Sequence, residues 1–223
     1  EVLRGPQGTL YGRNTTGGAI NLITKRPTTD VFEFKQKFTV GNRGLFTSKT
    51  SANIPISDTL AAKVAYLRTQ SDGFIENTGP GGDFGDKEVE GYRVDLRWDI
   101  SDSMTLDYAY DNSDFEYYNY MYQSINPAIQ NKGQAEPIRE FAVSQSKHSA
   151  DRFSSMATTR NFEASTTEID GHSFILTKDF ENMQFKYIGA YRELRDASYA
   201  DLGGGLGSED YRVDSNEYCS TTS

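Results

Sequence analysis

Cysteine, histidine and tryptophan are almost absent from this chain of 223 residues. Cys219 is the single cysteine, so neither a disulfide within the chain nor a cysteine metal cluster is available. His148 and His172 are the only histidines, which leaves no material for a histidine-rich metal site. We therefore expect no metal and no cofactor.

Long apolar runs and a basic excess are also missing. No stretch approaches the roughly 20 consecutive apolar residues of a transmembrane helix, and the mean hydropathy is −0.65. A polar mean still permits a membrane β-barrel, because only alternate residues of each strand meet lipid. The net charge of −9 argues against nucleic acid as a partner, because phosphates require a basic surface.

The first residues, "EVLRGP", contain no initiating methionine, charged n-region or apolar h-region. They therefore show no signal peptide. We expect the chain to be an internal fragment of a longer protein.

Alternation of apolar and polar residues is the dominant pattern. In "YRVDLRWDI" (92–100), Arg93, Asp95, Arg97 and Asp99 fall on the side opposite the apolar residues. Such a period of two predicts a β-strand with one apolar and one polar face. The next segment repeats the pattern with Asp107 on its polar side. About seven such strands are expected, most of them near the 9–11 residues that span a bilayer.

The predicted connections differ at the two ends of the strands. Short turns fall near 57–58, 101–103 and 181–182, whereas 71–88 and 114–166 are long and a further long connection begins near residue 198. Outer-membrane barrels have this asymmetry, with short periplasmic turns and long external loops.

Aromatic residues are plentiful, with 14 Tyr and 13 Phe beside a single Trp. Several of them share the apolar side of the predicted strands. This placement suits an aromatic belt at a bilayer interface. Cross-strand aromatic packing in a water-soluble sheet is the alternative.

Five glycines occur in "RGPQGTLYGRNTTGG" (4–18). A phosphate-binding P-loop is excluded, because Gly18 and Ala19 stand where that motif needs Lys and Ser or Thr. Glycine permits tight turns and close backbone approach. The segment is therefore expected to be a tightly turned backbone packed against a wall of protein.

The segment "EVLRGPQGTLYGRNTTGGAINLITKRP" (1–27) resembles the end of the plug domain of TonB-dependent outer-membrane receptors. The stretches "ISDTLAAKVAYLRTQSDGF" and "GYRVDLRWDISDSMTLDYAYDNSDFE" are similar to early barrel strands of that family. The plug motif comprises Arg4, Gly5, Pro6, Gly8, Tyr11, Gly12, Arg13, Gly17 and Gly18.

The resemblance implies an all-β fold in the bacterial outer membrane. About seven antiparallel strands of a roughly 22-stranded plugged transmembrane barrel would follow the C-terminal part of the plug. Residues 1–29 would end the plug, with strand Ala19–Lys25 leading out of it. Residues 30–223 would begin the barrel, with long external loops over 114–166 and 198–223. Arg4 and Arg13 are candidates to pair with carboxylates of the lumen wall. The residues expected to face the lumen are Arg93, Asp95, Arg97, Asp99 and Asp107.

The resemblance further implies a receptor that binds a scarce ligand at the outer face and imports it with energy from the TonB complex. A ferric siderophore or other iron chelate is the leading ligand, and cobalamin and carbohydrates remain open. Partners would be outer-membrane lipid and the TonB complex, the latter through an N-terminal box missing from this sequence.

Four tyrosines are candidates for ligand binding, and belt or loop packing is the competing interpretation: Tyr117, Tyr118, Tyr120 and Tyr122. Asp111, Asp114 and Glu116 match no metal motif and are expected to be solvated acids. No catalytic residue is expected. A soluble β-sandwich or adhesin-like binding module is the alternative class.

Overall fold

The computed structural model describes residues 2–11, 15–20, 23–121, 151–158, 161–201 and 210–222, with the backbone alone at 10–11, 201 and 210–222. Gly12, Arg13 and Tyr122, which were predicted to be functional, lie outside the described residues. Within the described part of the chain, no helix is long and apolar enough to cross a membrane.

The chain begins with a small glycine-rich unit. Strands β1 (Val2–Arg4) and β2 (Gly18–Ile20) pair antiparallel, and a single helical turn, α1 (Gly8–Tyr11), lies between them. The predicted strand over Ala19–Lys25 is therefore shorter at its C-terminal end, because residues 23–25 have no strand partner.

An antiparallel sheet of eight strands forms the rest of the fold. Its strand order is β12-β11-β10-β8-β7-β5-β4-β3, so every neighbour in the sheet is the next long strand of the chain. The strands and two short loop strands are β3 (Glu33–Val40), β4 (Phe46–Pro55), β5 (Leu60–Ser71), β6 (Glu76–Asn77), β7 (Lys87–Ser101), β8 (Met104–Tyr117), β9 (Ser155–Met156), β10 (Ser165–Asp179), β11 (Gln184–Asp201) and β12 (Asp210–Thr222).

Eight long strands are therefore present where about seven were predicted. The prediction of a loop over 198–223 is wrong for residues 198–201, which extend β11, and for 210–222, which form β12. The sequence of β12 carries few apolar residues, but a hairpin to β11 satisfies its backbone groups on one side. The predicted loop over 114–166 also shortens, because β8 continues to Tyr117 and β10 begins at Ser165.

The short turns fall at one end of the sheet, as predicted. They join β4 to β5, β7 to β8 and β10 to β11, and in two of them a backbone bond closes the turn, from Ile56 N to Leu60 O (2.8 Å) and from Phe180 N to Met183 O (2.8 Å). At the opposite end, β3 and β4 are joined by a compact turn with Arg43 and Gly44 in the left-handed region. The other connections at that end are long.

Buried apolar side chains are concentrated outside the sheet. Ile75, Phe84, Met156 and Phe162 form a small core between the β5–β7 and β8–β10 connections, here called the loop core. Within the sheet, by contrast, most large apolar side chains remain exposed. A single sheet has no second layer of its own to cover these side chains.

Candidate functional site

The two faces of the sheet differ in chemistry. Direct cross-strand partners share a face, so the register places Val94 with Tyr110 on one side and Arg93 with Asp111 on the other. We call these the apolar face and the charged face. The predicted alternation of strand β7 is therefore continued by its neighbours.

Carboxylates and guanidinium groups form a network of ion pairs on the charged face. Arg93 contacts Asp95 at 2.7 Å and Asp111 at 3.1 Å, and Asp111 is also bound by Arg192 at 2.8 Å. Asp95 is buried. These charges therefore neutralise one another along the wall, which reduces the cost of holding them away from bulk water.

A second part of this network lies nearer the short-turn end. Arg97 contacts Asp107 at 3.3 Å and Asp99 at 3.4 Å. All five residues predicted to face the lumen thus lie together on the charged face. Asp111, which was predicted to be a solvated acid, belongs to this network instead. Among the described residues, no group of three His, Cys, Asp or Glu side chains is arranged to hold a metal ion.

The chain between β2 and β3 lies against this charged face. Arg26 reaches Asp107 at 3.5 Å, and the ammonium of Lys63 donates to the carbonyl of Lys25 at 3.0 Å. Lys25 in turn contacts Glu33 at 3.2 Å, and Glu33 also binds Lys35 at 3.3 Å. Side chains of several strands therefore hold the segment that joins the glycine-rich unit to the sheet.

Asn53 makes the most specific of these contacts. Its Oδ1 accepts from the backbone N–H of Thr28 at 2.9 Å, and its Nδ2 donates to the carbonyls of Thr28 (2.9 Å) and Val31 (2.7 Å). Asn53 is buried. Because an amide both donates and accepts, this one side chain satisfies three backbone groups of a segment that has no strand partner.

The glycine-rich unit shows close backbone approach at one position. Gly18 has a φ of 140° and pairs with Arg4, and a Cβ at Gly18 would clash with the carbonyl oxygen of Leu3. Gly5 also has a positive φ, of 83°. Among the described residues, Arg4 forms no ion pair, so its contact with a carboxylate of the lumen wall stays a prediction. Arg26 does contact Asp107.

Aromatic rings form a row across the apolar face. Tyr92 and Tyr110 lie with ring centroids 5.7 Å apart, and Tyr110 contacts His172 at 4.7 Å. Trp98 and Phe174, nearer the short-turn end, are 47% and 40% exposed. Within the described part of the chain, no second sheet packs over this face.

Acidic side chains continue the apolar face beyond the aromatic row, toward the long connections. Tyr66 donates to Glu90 at 2.5 Å and Tyr110 donates to Asp170 at 2.8 Å. An aromatic row between an apolar band and charged groups is the arrangement found at a membrane–water interface. Strands β7, β8, β10 and β11 have 14 to 18 residues, which is more than a bilayer crossing requires. Their far ends therefore extend beyond the apolar band.

The long connections at that end are joined into one unit. Asn77 Nδ2 donates to the carbonyls of Pro80 and Gly82, both at 3.2 Å. Asn77 Oδ1 accepts from the backbone N–H groups of Gly79 (3.0 Å) and Thr158 (3.1 Å). A short parallel pairing of β6 with β9 adds to this contact. The β5–β7 and β8–β10 connections are therefore fixed to each other.

The predicted ligand-binding tyrosines occupy different environments. Tyr118 packs against the loop core, where its ring centroid lies 5.5 Å from that of Phe162, and burial raises the pKa of its hydroxyl. Tyr120 is 69% exposed and lies 5.4 Å from the ring of Phe74. Tyr117 ends β8 and pairs in register with Ser165. The structure thus brings Tyr118 and Tyr120 to the same loop unit, but only Tyr120 presents its ring to solvent.

Sequence reasoning missed Arg26, Asn53 and Asn77. Arg26 lies at the end of the plug-like segment. Its positive charge could have indicated an ion pair with one of the aspartates predicted to face the lumen. Asn53 and Asn77 are single polar residues whose partners are backbone groups. No spacing rule identifies such partners in advance.

Comparison with known proteins identifies relatives among outer-membrane receptors. No family model matches the chain. The pesticin receptor of Yersinia pestis is 39% identical over 84 residues, which is 37% of this chain and 12% of that receptor. The ferrichrome outer membrane transporter/phage receptor of Escherichia coli K12 is 44% identical over 46 residues, or 21% of this chain and 6% of that protein.

Solved structures with the same fold cover almost the whole chain. The ferric yersiniabactin uptake receptor FyuA from Yersinia pestis aligns with a TM-score of 0.71 and 22% identity, over 99% of this chain and 32% of that chain. The open form of the ferric-catecholate import receptor Fiu from Escherichia coli K12 aligns with a TM-score of 0.64 and 15% identity, over 99% of this chain and 34% of that one.

The chain thus spans about a third of the length of these solved receptors. The matched relatives are receptors and transporters rather than enzymes. In its glycine-rich unit, its two-faced sheet and these matches, the chain is similar to TonB-dependent outer-membrane receptors.

Proposed function

We propose that this chain supplies the end of the plug and the first barrel strands of a receptor that imports a ferric chelate. Residues 1–29 end the plug and residues 30–223 begin the barrel wall. The ligand binds at the outer face, and the TonB complex supplies the energy for its passage to the periplasm. The matched relatives include a ferrichrome transporter and a ferric yersiniabactin receptor, which supports an iron chelate as the ligand.

The contact between residues 23–31 and the charged face is the observation that carries this proposal. A plug must lie inside a barrel whose inner wall is polar and whose outer wall meets lipid. The Arg26–Asp107 pair and the three bonds of Asn53 fix the segment to the charged face, while the opposite face exposes Trp98 and Phe174. In the proposed barrel, Arg93, Asp95, Arg97, Asp99 and Asp107 then face the lumen.

The loop unit at the outer end is the proposed ligand contact. Phe74 has Tyr120 on one side and the guanidinium of Arg152 4.5 Å from its ring centroid. Aromatic rings beside a cation suit an anionic ligand that carries aromatic or planar groups. Tyr120 contacts the ligand in this proposal, whereas Tyr118 holds the loop core in place. Binding and passage of an intact chelate require no catalytic residue.

Transport is tested with the full-length receptor in its own outer membrane. Cells with and without the gene are grown under iron limitation, and uptake of radiolabelled ferric chelates of the catecholate, hydroxamate and phenolate classes is measured. The proposal predicts that at least one chelate enters only when the gene and a working TonB complex are both present. Uptake that is the same without the gene, across all three classes, would refute it.

The role of Tyr120 is tested in the same cells. Tyr120→Ala removes an exposed ring without altering the loop core, so we expect weaker chelate binding with normal receptor abundance. Tyr187→Ala is the matched control, because its ring packs against Phe174 on the apolar face, 5.3 Å between centroids. Equal chelate affinity in the two variants would remove Tyr120 from the ligand site.

A further inference from the structure

Asn77 connects the two long connections through its side chain. It belongs to the β5–β7 connection, yet its Oδ1 accepts from the backbone N–H of Thr158 in the β8–β10 connection at 3.1 Å. Its Nδ2 donates to the carbonyls of Pro80 and Gly82, which fixes the orientation of the amide. Thr158 is buried, and its hydroxyl donates to the carbonyl of Pro80 at 2.8 Å. The contact between the connections is therefore directional at this point.

Strand pairing alone specifies this junction weakly. Strands β6 and β9 have two residues each, and backbone bonds of 3.0 and 3.1 Å connect them. A slip of one residue in such a short pairing would turn the side chains of β9 to the opposite face. The apolar contacts of the loop core do not prevent this slip, because the hydrophobic effect is non-directional. The hydrogen bond between Thr158 and Asn77 is directional, so it specifies the register of β9 on β6.

This register decides where Arg152 lies. Arg152 stands just before β9 and Phe74 just before β6, and the guanidinium lies 4.5 Å from the ring centroid of Phe74. Arg152 is exposed. An exposed cation–π contact contributes less free energy than the conformational entropy that is lost when the backbone of even one residue is fixed. The contact with Phe74 is therefore too weak to hold Arg152 in place by itself.

We propose that Asn77 is a positioning residue of the ligand site. By fixing the register of β9 on β6, it places Arg152 over Phe74 before any chelate binds. This inference rests on the proposed function, because it names what sets the geometry of the proposed ligand contact. Asn77 itself does not touch the chelate. Because the two connections are already ordered in the free protein, chelate binding does not have to supply the free energy of ordering them.

A double-mutant cycle between Asn77 and Arg152 tests the inference. Binding of ferric catecholate, hydroxamate and phenolate chelates to the full-length receptor in detergent is measured for the wild type, Asn77→Ala, Arg152→Ala and the double variant. Arg152→Ala should weaken binding by about tenfold, because it removes a charged contact with the chelate. Asn77→Ala should weaken it by about as much, because the same guanidinium is displaced.

The double variant distinguishes positioning from an independent effect on the loops. Once Asn77 is absent, Arg152 is no longer placed over Phe74, so Arg152→Ala should weaken binding further by less than about twofold. Additive losses, which would make the double variant bind about 100-fold more weakly than the wild type, overturn the inference. Unchanged binding in Asn77→Ala also overturns it.

Asn112→Ala is the matched control. It removes the same amide from the apolar face, where Asn112 binds Asp170. In this background Arg152→Ala should keep its full tenfold effect. Hydrogen exchange of the Thr158 amide in the chelate-free receptor should be at least about tenfold faster in Asn77→Ala than in the wild type, and unchanged in Asn112→Ala. Equal exchange in all three proteins would contradict the role given to Asn77.

A disulfide replaces the function of Asn77 in a second set of variants. Glu76 and Ser155 are direct partners in the register of β6 and β9, and both are exposed. Glu76→Cys and Ser155→Cys are combined with Asn77→Ala and Cys219→Ser. We expect about tenfold tighter chelate binding in the oxidised form than in the reduced form, because the disulfide fixes the same register. Binding that is equally weak in both forms overturns the inference.

These outcomes separate the inference from the transport proposal. If the wild type binds a chelate and the losses in the cycle are additive, the positioning inference fails alone and the transport proposal stands. If the wild type binds none of the three classes of chelate, the transport proposal fails, and the role of Asn77 in a ligand site fails with it.

Discussion

Replacement of Asn53 is the sharpest perturbation of the contact between the plug-like segment and the wall. Asn53→Ala removes three hydrogen bonds, of 2.7 to 2.9 Å, to the backbone of Thr28 and Val31. Each bond contributes about 0.5–1.5 kcal/mol net. Asn53 is buried, so its loss also leaves backbone groups without a partner. We expect the free energy of opening this segment to fall by about 2–4 kcal/mol.

Hydrogen exchange of the Thr28 amide measures this opening directly. A change of about 2–4 kcal/mol corresponds to exchange that is roughly 30-fold to several hundred-fold faster. The thermal unfolding of the whole barrel should change little, because its strands keep their ladder bonds. Asn112→Ala is the control, since it removes the same amide from the apolar face, where Asn112 binds Asp170 at 3.2 Å. Exchange at Thr28 that is equally slow in wild type and Asn53→Ala would refute the reasoning.

Three further predictions follow from the charge network and the loop unit. Arg26→Gln should destabilise the segment by less than about 1 kcal/mol, because Arg26 is largely exposed. Asp107→Asn should lower the stability more, because it also removes an ion pair of Arg97. Urea unfolding in detergent compares the stability of the two variants. Phe84→Ala should lower the stability of the loop core by about 3–5 kcal/mol. The expected result is protease cleavage within 72–86. Loops that stay uncut would contradict the role given to this core. Burial raises the pKa of Asp86, so the carboxylate binds a proton more readily in the folded protein than in the unfolded chain. The stability of the loops should therefore rise as pH falls from neutral through that raised pKa. Protease resistance of the loops measured against pH should show this rise in the wild type and lose it in Asp86→Asn.

Strands with strong alternation were predictable from the sequence. Residues 92–100 alternate without interruption, and the structure places them on β7 with the charged set on one face. Short polar turns were predictable for the same reason, since each lies between two alternating segments. Strand β12 was not, because its apolar residues are few and its pairing with β11 depends on backbone bonds that composition does not report.

Contacts between distant parts of the chain were the features that sequence reasoning missed. Asn53 lies 25 residues from Thr28, and Asn77 lies 81 residues from Thr158. Both act through backbone groups, which every residue carries, so no residue type marks their partners. The residues of the charged face were predicted from the sequence. The ion pair between Asp107 and Arg26 was not, because only folding brings these two residues together.

The central claim is that one face of this sheet meets lipid and the other meets the plug. A nitroxide scan over residues 92–100 of the full-length receptor in liposomes tests it most directly. Single cysteines are labelled in a background that carries Cys219→Ser. Collision of each label with molecular oxygen, which concentrates in hydrocarbon, is then compared with collision with a water-soluble nickel chelate. The account predicts a period of two, with high oxygen contact at Val94, Leu96 and Trp98 and low contact at Arg93, Asp95 and Arg97. Oxygen contact that does not alternate, or that is low on the apolar face, would contradict it.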